Sequence, residues 1–219
     1  MTPESKKITG KATEICLWQE GKQCDECELD VHVFCQPTNK YRVLFGTTSF
    51  LGIIPALWGI VISDYGIGAK VGIGVGYFVY MFFFLNVWES RMLCNHCPYY
   101  ANDTESKLNC PIDKGKLKTG EYDPSPISKL EKAQFIIGAL ILSFFFQPFL
   151  LLKGLWLYSG LSFAGVLAWI VVCRYLVCPH CVNFSCPMNQ VPKSIRDEFI
   201  RKNPVIREAW ERAGYNFND

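Results

Sequence analysis

Only three histidines occur in the 219-residue chain, and His32, His96 and His180 all sit among cysteines. None falls in an apolar stretch, so a haem held by two histidines inside a membrane would have no ligands. No C-x-x-C-H occurs, which argues against covalently attached haem. P-loop and G-x-S-x-G signatures are also absent. The glycine-rich run from Gly66 to Gly76 lies between apolar segments and follows no strand, so it is no dinucleotide site. The first 39 residues are polar and lack an apolar h-region, so no secretory leader is expected. No nucleic-acid partner is expected either.

Charge is missing from four long stretches. Val43 to Ser63, Val71 to Trp88, Ala133 to Leu152 and Leu155 to Cys173 contain no Asp, Glu, Lys or Arg. Each is about 18–21 residues long, enough to cross a hydrocarbon core as a helix. The expected fold is therefore an all-α integral membrane protein with four transmembrane helices. Burying four such helices inside a soluble protein of this size is the weaker alternative. The spans hold no intramembrane acid or base, which argues against an ion pump or proton channel.

Lys and Arg fall unevenly around the spans. Residues 1–42 hold six, 89–132 hold seven and 174–219 hold seven, while the two short connections hold only Lys70 and Lys153. By the positive-inside rule both termini and the central loop face the cytoplasm, and the expected location is the cytoplasmic (inner) membrane. Ten of the eleven cysteines then lie on the reducing side, with only Cys173 in a span. Metal ligation outranks disulfides there.

One pattern occurs twice. A pair of apolar stretches leads into Arg91, Cys94-Asn-His-Cys97 and Cys110-Pro111, and the second pair leads into Arg174, Cys178-Pro-His-Cys181 and Cys186-Pro187. The predicted organisation is a cytoplasmic Cys-rich head (1–42), a first hairpin (43–92), a cytoplasmic loop (93–130), a second hairpin (131–177) and a C-x-H-C/Cys-Pro segment with an amphipathic tail (178–219). Both hairpins run in the same direction, so both motifs emerge at one depth. If spans two and four are neighbours, about 8–10 Å apart, the motifs face one another.

Finer features add detail. Ser128 and Glu131 have capping-box spacing at the start of span three. Ile195 with Phe199, and Ile206 with Trp210, predict two short amphipathic helices broken at Asn203-Pro204, lying on the membrane, over the cysteines or against the protein's own loops. Gly68, Gly72 and Gly76, and Gly160, Ala164 and Ala168, recur every four residues and predict close helix approach. Asn86 and Gln147 could share a polar pocket, although interhelical hydrogen bonds are the commoner use of such residues.

The head carries a four-ligand set, Cys16, Cys24, Cys27 and Cys35, with His32 as a substitute. Each repeat supplies three: Cys94, Cys97 and Cys110, and Cys178, Cys181 and Cys186. A tetrahedral site needs four. Either the two C-x-x-C pairs share one ion, or His96 and His180 cross to the partner site, or one position stays open. Zinc is the expected metal, with an iron–sulfur cluster as the alternative, because Cys181-x4-Cys186-Pro187 partly matches the Cys-Pro ending of bacterial iron–sulfur runs.

Cys178-Pro-His-Cys181 also resembles the active-site tetrapeptide of thioredoxin-superfamily oxidoreductases. The resemblance covers four residues. That family sets the motif at a helix N-terminus after a strand, whereas here it follows a helix C-terminus, whose dipole disfavours a thiolate.

The function expected from these patterns is a redox or electron-transfer adaptor, held in the lipid bilayer and serving a soluble or membrane protein partner on the cytoplasmic side. A membrane anchor or assembly factor with structural zinc is the first alternative. A thiol–disulfide redox protein or soft-metal sensor is the second.

Overall fold

The computed structural model describes residues 15, 27–35, 39–101 and 106–217. Among them helices dominate and no strand forms; Lys107 and Leu117 make one isolated antiparallel bridge. The helices are α1 (Asn39–Ile62), α2 (Ile67–Phe83), α3 (Glu89–Met92), α4 (Lys129–Phe144), α5 (Gln147–Leu152), α6 (Trp156–Val172), α7 (Lys193–Arg201) and α8 (Pro204–Arg212). Taken with their continuations, four helical segments are long and apolar enough to cross a membrane: Asn39–Ile62, Ile67–His96, Lys129–Leu152 and Trp156–His180. Their outward faces carry exposed large apolar side chains, among them Phe82, Leu152, Trp156 and Leu157. An apolar surface this extensive is foreign to a water-soluble monomer.

Three of the four segments depart from the uniform helices expected. The third breaks at Phe145 and Phe146, where α4 gives way to α5, because Pro148 lacks an N–H and restricts the residue before it. The second and fourth each end in a π turn, Phe84–Trp88 and Cys173–Val177, ahead of the C-x-H-C motifs. Single π turns recur at functional positions and leave no mark in hydropathy. Asn86 lies in the first one, and its amide donates to Phe82 O at 2.9 Å. Gln147 and Ser159 instead make an interhelical bond, Ser159 Oγ donating to Gln147 Oε1 at 2.6 Å. The two amides therefore share no pocket.

The main helix pair is α1 with α6, while α2 and its π turn pack toward α4. Among the described residues α2 and α6 share no extended contact, which corrects the expected neighbouring of spans two and four. Close approach also depends on other glycines than those predicted. A Cβ on Gly52 would meet Val166 Cγ2 at 2.8 Å, one on Gly59 would meet Leu150 Cδ2 at 2.6 Å, and one on Gly165 would run into the Leu51 carbonyl. Gly138 makes room for the Phe84 ring. Gly68, Gly72 and Gly160 have open space where a Cβ would stand, so their regular spacing serves no helix contact.

At the far end the two short connections touch. Lys153 Nζ pairs with Asp64 Oδ1 at 2.9 Å and lies 4.6 Å from the Tyr65 ring centroid, and Tyr65 OH donates to Phe149 O at 3.0 Å.

The predicted capping box is present at the start of α4. Ser128 Oγ accepts from Glu131 N–H at 3.2 Å, and Glu131 Oε2 accepts from Ser128 N–H at 2.9 Å. Ser128→Ala should therefore cost about 1 kcal/mol, read as a lower Tm of detergent-solubilised protein.

Candidate functional site: a buried thiol core

Each motif is presented by a short 3-10 turn at the end of a long helical segment, Cys94–His96 in the first copy and Cys178–His180 in the second. In both turns the second cysteine closes onto the first: Cys97 N–H donates to Cys94 O at 2.9 Å, and Cys181 N–H to Cys178 O at 3.4 Å. The copies are tied together by a buried asparagine. Asn183 Nδ2 donates to Leu93 O at 3.0 Å, while Asn189 Nδ2 donates to Cys181 O at 2.7 Å and Asn183 O at 3.0 Å.

The surrounding core draws on described parts of the head, the central loop and the tail. Leu29, Val33 and Cys35 from the head, Cys97 and Tyr99 from the loop, and Val182 and Phe184 after the second motif pack with Phe199 and Ile200 of α7 and Ile206 and Trp210 of α8. The two predicted tail helices thus lie over the thiols. Two hydrogen bonds at Phe34 hold the head turn against both copies: Phe34 N–H donates to His180 O at 2.7 Å, and the Tyr99 side-chain OH donates to Phe34 O at 2.8 Å.

Four of the thiols share one environment. Cys97 is buried and Cys110, Cys181 and Cys186 are half-buried, and they feel one another electrostatically, Cys97 sensing Cys110, Cys181 and Cys186, and Cys181 sensing Cys186. Each sulfur accepts a backbone N–H two residues on: Tyr99 for Cys97, Ile112 for Cys110, Asn183 for Cys181 and Met188 for Cys186. Proline follows Cys97, Cys110 and Cys186. It has no N–H of its own and fixes φ, which favours a turn bringing the next N–H back to the sulfur. Burial pushes the thiols of Cys110, Cys181 and Cys186 up to about 12, with further upward push from Asp113 on Cys110 and from Cys186 on Cys181. Burial likewise holds Cys97 well above the ordinary thiol range. All four are thus neutral at pH 7, and any ion bound to them would have to displace their protons.

The first cysteine of each motif adjoins the same group: Cys94 senses Glu89, Lys116 and Cys110, while Cys178 senses Arg174 and is itself felt by Cys181 and Cys186. Cys27 and Cys35 belong to the head turn, while Cys16 and Cys24 lie outside the described residues, and with them the completeness of the head set. Among the described residues no three His, Cys, Asp or Glu side chains converge as ligands of a single metal ion.

The histidines point away from the partner motif. His96 Nδ1 donates to Ser125 O at 2.8 Å and His180 Nδ1 to His32 O at 2.9 Å, since a carbonyl can only accept. In both, Nε2 is then the unprotonated nitrogen in the neutral ring. His96 Nε2 is buried without a hydrogen-bond partner, 3.6 Å from Glu131 Oε1. The His180 ring lies near Phe34 and Tyr41, with centroids at 5.4 and 6.4 Å.

Sequence reasoning overlooked an ion cluster beside Cys94. Lys116 Nζ sits 2.8 Å from Glu89 Oε2 and 3.5 Å from Asp113 Oδ2, and the lysine and Glu89 are largely buried. Burial pulls the Lys116 ammonium down, but Glu89 and its acidic neighbours outweigh it and hold the lysine above its ordinary value. The available signal was Glu89 itself, the first charge after span two.

Comparison with protein-family models, curated proteins and solved structures finds no match. The fold and core define an all-helical protein with four segments able to cross a membrane, whose cysteine-bearing loops assemble into one buried thiol core.

Proposed function

We propose that this is a multi-pass inner-membrane protein of two parallel helical hairpins, with both termini and the thiol core on the cytoplasmic side. The core holds a cysteine-ligated metal centre, and the protein works as a redox or electron-transfer adaptor for a partner in the cytoplasm. The observation that carries this reading is the meeting of thiols from both repeats in one buried core, each sulfur supplied with a backbone N–H. Such hydrogen bonds stabilise a metal-bound thiolate and tune its potential. The uneven Lys and Arg distribution supports the orientation.

A structural reading, zinc stapling the loops of an anchor or assembly factor, is favoured by one feature. The tail helices cover the core and Cys97 is only 7% exposed, which suits a closed coordination shell.

Metal analysis of anaerobically purified protein tests the reading: at least one equivalent of iron or zinc is expected, and its absence would sink it. Orientation is checked by thiol labelling. Cys94 and Cys178 should react only once the cytoplasmic membrane is permeable and metal has been stripped, and reaction in intact cells would reverse the topology.

A further inference from the structure

We infer that a cavity between the four long helical segments binds the carbonyl-bearing ring of a lipid-soluble quinone. This rests on the membrane-spanning reading of those segments and is independent of the metal centre.

The cavity, about 90 Å³, is walled by α1, α2, α4 with the break that follows it, and α6. Three aromatic side chains, Tyr77, Phe146 and Trp169, face it together with the hydroxyl-bearing Ser49, Ser143 and Ser162, and the rest of the lining is apolar. The aromatic walls are braced by their neighbours. The Tyr77 and Phe146 ring centroids lie 4.5 Å apart, and Trp169 packs edge-on against Phe45 at 5.3 Å. Largely preformed apolar cavities with a few polar groups are the usual form of a small-molecule site.

One donor in the lining has nothing to bond. Trp169 Nε1–H is buried and has no hydrogen-bond partner among the described residues. An indole nitrogen only donates, so what is missing is an acceptor. In hydrocarbon no water replaces it, and an unpaired N–H is costly there. The carbonyl oxygen of a guest would receive it.

Depth selects which guest. Ser49 and Ser143 are the eleventh and fifteenth residues of the 24-residue segments Asn39–Ile62 and Lys129–Leu152, so both lie near the middle of a span. Phospholipid ester carbonyls sit at the edges of the ~30 Å hydrocarbon core and do not reach that level. A quinone, dissolved in the core, carries its carbonyls to it. Size agrees with an edge-on guest. An apolar cavity of about 150 Å³ takes benzene whole, so this smaller one takes a carbonyl and its neighbouring ring carbons. Ser49, Ser143 and Trp169 are only half-buried, so the cavity is not sealed from the lipid that would hold the remainder of the ring and the tail.

The position suits a redox adaptor. Trp169 precedes Cys178 by nine residues of one helical segment, about 14 Å at 1.5 Å per residue. A ring held at Trp169 therefore lies directly below the second motif. No Asp, Glu, Lys, Arg or His lines the cavity, so the assignment is one of binding and not of proton transfer.

The test uses full-length protein in detergent, titrated with a ubiquinone that carries a single isoprenoid unit. Saturable binding of one equivalent is expected. The hydrocarbon analogue, with the same tail on a ring that has no oxygen, should bind about tenfold more weakly, the effect of one lost hydrogen bond. That comparison needs no variant. Trp169→Phe keeps an aromatic wall and removes the donor. It should weaken quinone binding about tenfold and leave the analogue unchanged. Trp156→Phe, at the exposed start of α6, should alter neither.

Equal affinity for quinone and hydrocarbon, parental quinone affinity in Trp169→Phe, or a co-purifying phospholipid that the quinone does not displace would each overturn the site and leave the four spans in place. Release of the protein from membranes by alkaline carbonate would instead remove the membrane reading, and the site with it.

Discussion

Gly165→Val should disrupt the α1–α6 pair and leave little folded protein. The added Cβ at Gly165 would overlap the carbonyl of Leu51 and approach the Gly52 nitrogen to 2.6 Å, and both are helix backbone. A side-chain neighbour can change rotamer, but a helical carbonyl can move only if the whole helix does. The expected cost is at or beyond the upper end of the ~1–3 kcal/mol typical of overpacking. Gly160→Val is the control: it lies five residues away on the same helix and faces open space. It should stay within about 0.5 kcal/mol of the parent. Size-exclusion recovery in detergent and Tm measure both, and equal behaviour of the two variants would refute the crossing.

Lys116→Met should be nearly as damaging. The lysine neutralises Glu89 at 2.8 Å and reaches Asp113 at 3.5 Å where little water penetrates, its side chain being 6% exposed. Removing one partner of a buried ion pair costs about 3–5 kcal/mol, because the remaining charge keeps its desolvation penalty without its counterion. Lys116→Met combined with Glu89→Gln should recover much of that loss, as the double variant buries no unpaired carboxylate at position 89. Thermal unfolding of the two single variants and the double one measures the coupling. A double variant as unstable as the sum of the singles would mean that the pair does not interact.

Four apolar segments were readable from length and charge alone, because a charge-free run of that size has few other uses. The cap at Ser128 and the tail helices at 193–201 and 204–212 were also readable, since both depend on local spacing. Helix partnership was not. The stripe at Gly68, Gly72 and Gly76 has ideal periodicity but no helix against most of it, whereas Gly52, Gly59 and Gly165 make the contacts without forming a conspicuous repeat. Periodicity marks a face, and only tertiary structure decides what covers it.

The thiol core was half legible. Duplication pointed to both motifs, but the Asn183 and Asn189 bonds that tie the two copies together are not encoded in ligand spacing. The same limit hid Lys116 and Glu89, 27 positions apart and joined only once the loop folds back.

The cover over the thiols has a consequence for timing. Phe199, Ile200, Ile206 and Trp210 close the core from above, and every described cysteine precedes them in the chain. A ribosome therefore completes the thiol floor before it delivers the roof. During synthesis there is an interval in which all the sulfurs exist, the long helices have been made and the upper side is still open. Afterwards, access requires α7 and α8 to lift, and the ease of that local opening sets how fast the finished protein can exchange anything held beneath them.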